Sequence, residues 1–310
     1  MYMVTRRCTQ RTFLLRPDDA TTQTFLYCLA YAAEQTGVQV LYSMVMSNHH
    51  HTIVYDPEGR VPEFNRRLHS LSARAINALR GRWENFWADE QPGQVVLVEA
   101  RDVLDKIAYA ASNPVTAQLV EHVEHWPGFH TTAAFFSGQE LRAERPAHFF
   151  RDAGPTPEQV VLRLAWPDHL GTVEEARKSV RKRVDELEAQ ARQQRVSEKR
   201  AVLGRAGVRR QDFHARPRTR QVSEKRAVLG RAGVRRQDFH ARPRPCEPRR
   251  KLRPRVAARN RWARVEALQR NRTFLTAYRL ALNQWHAKLP AVFPAGTYQM
   301  RGKPNVVILE

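Results

Sequence analysis

Apolar and polar positions follow two different periods along the first 130 residues, and the switches between them mark the elements. Residues 3 to 15 carry an extended pattern closed by Arg16-Pro-Asp-Asp and predict a strand. Over residues 20 to 36, Phe25, Leu26, Leu29, Ala32 and Ala33 recur at helical spacing and stop before Gly37. Val38, Val40, Tyr42 and Met44 alternate with their neighbours, Ser47 and Asn48 supply a turn, and His51-Thr-Ile-Val resumes the extended pattern, which together predict a hairpin. A helix is expected from about Pro62, with Phe64, Leu68, Leu71, Ala75 and Leu79 on one side. Gln94 to Glu99 (QVVLVE) reads as a short buried strand and residues 102 to 112 as a further helix. The order β-α-β-β-α-β-α predicts an α+β fold, an antiparallel sheet backed by helices.

Beyond residue 130 the pattern weakens. Residues 133 to 170 hold Pro146, Pro155, Pro157 and Pro167 among scattered apolar pairs and are expected to be a connecting wrap. Thr172-Val-Glu-Glu has the form of a capping box and opens a helix to about Arg195, whose thin apolar edge is Val180, Val184 and Leu187. Residues 196 to 218, VSEKRAVLGRAGVRRQDFHARPR, then recur without change at 222 to 244. Two short units cannot bury a repeating core, so the repeat reads as a recent duplication rather than a solenoid. A final helix from about 256 to 288, carrying Trp262, Val265, Phe274, Leu275, Tyr278 and Leu282, is expected to dock back on the core. The chain thus divides into residues 1–130, a connecting segment and helix at 131–195, a basic duplicated insert at 196–255, and a C-terminal helix and tail at 256–310.

Charge sharpens this division. The 310 residues carry a net +21, and residues 191 to 260 hold 23 Lys and Arg against five Asp and Glu, an excess of 18. A nearly neutral body therefore bears a concentrated cationic segment, as a polyanion binder would. Within each repeat the arginines (Arg209 and Arg210; Arg235 and Arg236) lie close to an aromatic ring (Phe213; Phe239). Basic groups can follow phosphates while a ring stacks on a base; a cationic tail with incidental aromatics is the competing reading. No apolar run is long enough to span a membrane and no apolar signal core stands at the N-terminus. Cys8, Cys28 and Cys246 are widely spaced in no ligand pattern, which suits a reducing compartment.

Three histidines follow the hairpin turn. Successive side chains on a strand point to opposite faces, so His49 and His51 share one face and His50 takes the other. Two imidazoles about 6–7 Å apart along a strand can converge on one metal ion; a chance cluster beside a turn is the alternative. His50, on the packed face, needs a hydrogen-bond partner if buried, and leucine there is expected to be tolerated or to improve stability. On the helix at 102 to 112, Val103, Leu104, Ile107, Ala108 and Ala111 form the apolar stripe and Tyr109 falls nearly opposite. Asn113 would share the side of Tyr109, though it precedes Pro114 and is equally suited to cap a helix beginning there. His122, His125 and His130 lack a cysteine or carboxylate to complete a metal set and are given no function.

The stretch Met46-Ser-Asn-His-His-His-Thr-Ile-Val resembles the Met-Pro-Asn-His-x-His signature of REP-associated tyrosine transposases, single-tyrosine members of the HUH endonucleases. Arg7 to Arg16 resembles the family's first strand, and Asp56-Pro-Glu-Gly-Arg-Val-Pro, Tyr109-Ala-Ala-Ser-Asn-Pro-Val, Trp126-Pro-Gly and Phe293-Pro-Ala-Gly-Thr-Tyr also fit. Ser47 replaces the usual proline, and His50 replaces a bulky apolar residue. The resemblance implies a ferredoxin-like palm, with a mostly helical or irregular basic extension behind it. It implies Tyr109 as nucleophile, His49 and His51 as ligands of Mg²⁺ or Mn²⁺, and Asn113 as a third ligand one turn after the tyrosine. The implied substrate is a single-stranded or hairpin DNA of a bacterial chromosome, cleaved and rejoined through a 5′-phosphotyrosine link. That places the protein in the cytoplasm near the nucleoid, as monomer or homodimer and without a membrane. A decayed relative that only binds DNA or RNA is the runner-up; a relaxase or replication initiator fits less well, since those usually have longer domains and Tyr109 has no second tyrosine beside it.

Overall fold

The computed structural model describes residues 1–211 and 256–309. Strand β1 (Tyr2–Arg7) is shorter than the extended pattern predicts. At Cys8 the chain leaves the sheet for a turn at Thr9–Arg11, with Gln10 and Arg11 at positive φ, and Leu14 and Leu15 then bury as irregular chain. Helix α1 (Asp19–Thr36) begins where the Asp18 carboxylate accepts the Thr21 N–H and ends at Gly37, whose φ of 68° suits a residue without Cβ. The hairpin follows as β2 (Gln39–Met46) and β3 (His49–Tyr55), then α2 (Val61–Leu79) with Pro62 in its first turn. Strand β4 (Gly93–Leu97) leads into α3 (Ala100–Thr116), which opens on a reciprocal capping box between Glu99 and Asp102.

These four strands lie in the order β2-β3-β1-β4, all neighbours antiparallel, and β7 (Val256–Ala257) adds to β4 in parallel. The result is an α+β fold with a five-stranded, mostly antiparallel sheet. The two faces of the sheet bury two separate cores, because alternate residues of each strand point oppositely. Val4, Val45 and Val54 pack with Phe25 and Leu29 of α1 and Phe64 and Leu68 of α2. Met3, Tyr42, Met44, Met46 and Ile53 pack with Val103, Ile107 and Ala111 of α3.

Three expectations are corrected downstream. The segment expected to be a wrap contains α4 (Thr132–Ser137) and a hairpin of β5 (Leu141–Glu144) and β6 (Gln159–Leu162). Ala143, Val160 and Leu162 of this hairpin complete the core beside α1. Its strands are only four residues each, too short for periodicity to reveal. Helix α3 does not stop at Asn113 but runs through Pro114 to Thr116. A proline so near the C-terminal end forfeits a single intrahelical bond, and continued winding buries Val115 completely. Helix α5 (Val173–Ser197) does begin at its Thr172 cap and lays Val180 and Val184 on the core beside α3; α6 (Gly204–Arg209) follows and buries Val208 there too.

The long C-terminal helix α7 (Arg261–His286) is the third correction. Ala281 is its one buried residue, and Trp262 is 79 % exposed. Its apolar residues Tyr278, Leu282 and Trp285 pack against a small separate cluster around Phe293, in the parallel pair β8 (Ala291–Phe293) and β9 (Val306–Ile308), rather than on the main core. The following segment returns to the body where the Tyr298 hydroxyl donates to Glu63 of α2. No described helix is long and apolar enough to cross a membrane.

Candidate active site

Strand β3 is flanked on both sides, so its register is fixed twice over. Thr5, Arg6 and Arg7 of β1 lie opposite His51, His50 and His49, while Met44, Val45 and Met46 of β2 lie opposite the same three. Alternation then places His49 and His51 on the α3 face, their rings 4.9 Å apart and nearly perpendicular. From α3, Tyr109 brings its ring to 5.5 Å from that of His51, and Asn113 one turn later reaches His51 Nε2 at 3.0 Å. Asn113 can do so because the helix continues through Pro114. Tyr109 itself is 48 % exposed. Lys106, one turn before it, holds its ammonium 5.5 Å from the centre of the tyrosine ring.

Hydrogen bonds fix how the two imidazoles present themselves. His49 Nδ1 lies 2.6 Å from Asn48 Oδ1, an atom that can only accept, so Nδ1 carries the proton and Nε2 keeps its lone pair. His51 Nδ1 lies 2.8 Å from Thr5 Oγ1, and its Nε2 accepts from the Asn113 amide, which gives the same tautomer. Burial holds both rings neutral: it lowers His49 to about 4, with help from Arg11, and moves His51 well below the usual imidazole range, with His49, His50 and Lys106 adding to the effect. The His49 Nε2 lone pair is left unpaired among the described residues, and the His51 Nε2 lone pair is taken by the Asn113 N–H; a cation there would displace that bond, with the amide turned to present its oxygen. Two Nε2 atoms and that oxygen are a donor set a divalent cation can use. Among the described residues no three His, Cys, Asp or Glu side chains gather to hold a metal, so the set reaches three only through Asn113.

His50 is buried on the opposite face, and its required partner is His69 of α2, Nε2 to Nε2 at 2.9 Å. Its Nδ1 meets Thr52 Oγ1 at 3.0 Å, which in turn meets Ser43. Rings of Phe25, Trp87 and His69 surround it. His50 therefore belongs to the packed core and not to the metal-capable face. Sequence reasoning misses His69, Thr5, Asn48 and Lys106. Lys106 stands in view at i−3 from Tyr109, whereas Thr5 and His69 become neighbours only through strand register and helix docking.

Of the nucleic-acid candidates, Arg209 is tied to the body, its guanidinium 3.0 Å from Asp19 and its carbonyl accepting from Arg16 at 2.7 Å. Arg210 is exposed. Arg235, Arg236, Phe213 and Phe239 lie outside the described residues. His122 does find a carboxylate, Glu188 of α5 at 2.7 Å, and its ring stands 5.2 Å from that of His125; His130 bonds Thr132 instead.

Two of the solved structures to which the chain is similar are of transposase type. One is a REP-associated tyrosine transposase bound to a REP hairpin, with 18 % identity and a TM-score of 0.34 over 42 % of this chain and 74 % of that one. The other is a candidate transposase from Deinococcus radiodurans R1, with 20 % identity and a TM-score of 0.27 over 31 % of this chain and 76 % of that one. At these scores the likeness assigns neither residue role nor activity to this chain. No protein-family model and no curated protein matches it.

Proposed function

We propose that the protein is a DNA strand transferase of the single-tyrosine HUH type, acting on single-stranded or hairpin DNA through Tyr109. The observation that carries this reading is the meeting of His49, His51, Asn113 and Tyr109, from two separate elements, at a place where the tyrosine is open to solvent. A strand order of β2-β3-β1-β4 under two helices fits the ferredoxin-like palm of that class. His49 and His51 through Nε2, and Asn113 through its amide oxygen once the amide turns over and releases His51, would hold Mg²⁺ or Mn²⁺. When bound, the ion would supply Lewis-acid polarisation of a non-bridging phosphate oxygen.

The chain's own groups do the rest. Thr5 and Asn48 hold the two imidazoles in the tautomer that leaves Nε2 unprotonated. Lys106 adds positive charge beside the tyrosine, where a phosphate must sit. The Tyr109 oxygen attacks phosphorus, the phenol gives up its proton, and the bond to the 3′ oxygen breaks. The products are a 5′-phosphotyrosine and a free 3′-hydroxyl, and the phosphodiester energy is kept for rejoining. This chemistry, and the excess positive charge between residues 191 and 260, suit a bacterial cytoplasmic protein working at the nucleoid.

The test is a labelled hairpin oligonucleotide incubated with the full chain and Mg²⁺ or Mn²⁺, followed by denaturing electrophoresis. Tyr109→Phe removes one oxygen and leaves the exposed ring, so folding and DNA binding stay near wild type while cleavage and the covalent adduct disappear together. An adduct that persists in the Phe variant moves the nucleophile elsewhere. Absence of an adduct with the wild type on suitable hairpins leaves a DNA- or RNA-binding protein without strand transfer.

A further inference from the structure

A second basic site lies where α5 ends. A cavity of about 550 Å³ opens there, lined by Arg192, Arg195, Lys199 and Arg200, with Glu121 from the loop after α3 and Val196. Helix C-termini commonly carry cations for the sake of the helix dipole, but that interaction operates at the surface and leaves side chains solvated. Arg195 does not fit this account. It is 7 % exposed, makes no ion pair among the described residues, and its Nη1 is buried without a hydrogen-bond partner. A shielded guanidinium nitrogen with nothing to donate to is costly, and a turn of the Arg195 side chain toward an anion in the cavity it lines would remove that cost.

The backbone shapes the site. Lys199 N–H bonds Val196 O at 3.2 Å and Arg200 N–H bonds Arg195 O at 3.0 Å, the paired bonds of a Schellman turn. The residue that must take positive φ there is Lys199, at 50°, where glycine is the usual choice. This turn folds Lys199 and Arg200 back over Arg195, while Arg192 precedes Arg195 by one helical turn on the same side. Arg200 is partly occupied by Glu198 at 3.1 Å; Arg192 and Lys199 have no partner among the described residues. Four cations against one lining carboxylate, with planar guanidinium donors, match a phosphate group better than a carboxylate or halide.

We propose that this cavity is a phosphate-binding site separate from the Tyr109 face, taking either a backbone phosphate of single-stranded DNA or a free polyphosphate. The second copy of the repeat has Gln221 at the position equivalent to Arg195 and does not carry the same set. The inference does not depend on strand transfer, because binding alone is measured.

The experiment uses the full chain, a fluorescent single-stranded 20-mer and inorganic pyrophosphate as probes, and four proteins: wild type, Arg195→Gln, Lys199→Gly and a Lys178→Gln/Lys182→Gln control on the exposed side of the same helix. Lys199→Gly relieves the positive φ, so its melting temperature stays level or rises and a binding loss cannot be blamed on misfolding. Pyrophosphate affinity is expected to fall about 10-fold or more in Arg195→Gln and in the same direction in Lys199→Gly, with little change in the control. If DNA supplies the phosphate, its affinity falls in the same two variants and pyrophosphate competes with it. If DNA affinity holds while pyrophosphate affinity falls, the ligand is a free polyphosphate. Equal losses in the control, or no loss in Lys199→Gly, overturn the proposal and leave a solvated basic helix end.

Discussion

On one face of β3, His51 meets Thr5, Asn113 and Tyr109; on the other, His50 meets His69, Thr52, Trp87 and Phe25. The two rings are consecutive in sequence, both buried, and both held well below the ordinary imidazole range by that burial, His50 at about 3. A perturbed titration therefore does not separate a functional histidine from a structural one in this protein. What separates them is what each Nε2 faces. His51 turns its Nε2 lone pair toward an amide beside an exposed tyrosine. His50 spends its Nε2 on another imidazole inside a ring of aromatic side chains, with no route to a ligand.

The widest gap between the two faces should open in activity. His49→Ala and His51→Ala each remove a ligand from the α3 face, and metal-dependent cleavage should fall by more than the ~100-fold that losing an outer-shell partner alone can cost. Their melting temperatures should change far less than that of His50→Ala, which opens a void and orphans His69 in the core. Cleavage rates and thermal melts on the three variants decide the matter. A His50 variant that folds normally yet cannot cleave, beside an active His51→Ala, would reverse the assignment of faces.

Strand alternation alone makes the two faces legible in the sequence. It needs only the period of two, and β3 obeys it between two antiparallel neighbours. Tyr109 is legible from its absence in the apolar stripe of α3. The rest depends on long-range placement. Thr5 reaches His51 only because β1 and β3 pair in one register, and nothing local in Arg7 to Arg16 shows that the strand ends at Arg7. Asn113 admits two readings because proline disfavours helix in the residue before it; burial of Val115 outweighs that preference. The four-residue strands β5 and β6 fall below the length at which alternation can be seen. Helix α7 carries enough apolar residues to suggest docking, yet only the Ala281 region has a surface to dock on.

On the packed face the expected effect is one of stability. Leucine at position 50 is tolerable on pattern alone, but His69 already leaves Nδ1 without a partner, and losing His50 would strip Nε2 as well. His50→Leu should therefore destabilise by roughly 1–3 kcal/mol, the usual cost of a buried polar group left unpaired. The double change His50→Leu/His69→Leu removes both polar groups and should recover part of the loss, a positive coupling that a double-mutant cycle in denaturant would measure. Equal stability of wild type and His50→Leu would show that the pair contributes nothing and that His69 finds another partner.

The finest distinction is in acid. Burial lowers His69 well below its ordinary value, with His50 and Arg6 adding to the effect, and lowers His130 in the same direction. Below about pH 6.5 the unfolded chain takes up protons on these histidines and the folded chain does not. Stability is then complete above that pH and declines as the pH falls, by up to ~1.4 kcal/mol per pH unit for each such group. Carboxylates pull the same way only further down. Glu63 is held at about 2, first by the Tyr298 hydrogen bond and then by Arg60 and Arg67, so its contribution is lost between about 4.5 and 2. The window from pH 6.5 to 5 thus isolates the histidines. Urea melts across it should show a shallower acid slope in His50→Leu/His69→Leu than in wild type, because two proton-refusing groups are gone from the core. A slope unchanged by the double substitution would mean that the pair already shares a proton in the folded state, and the packed face would then be a titrating one.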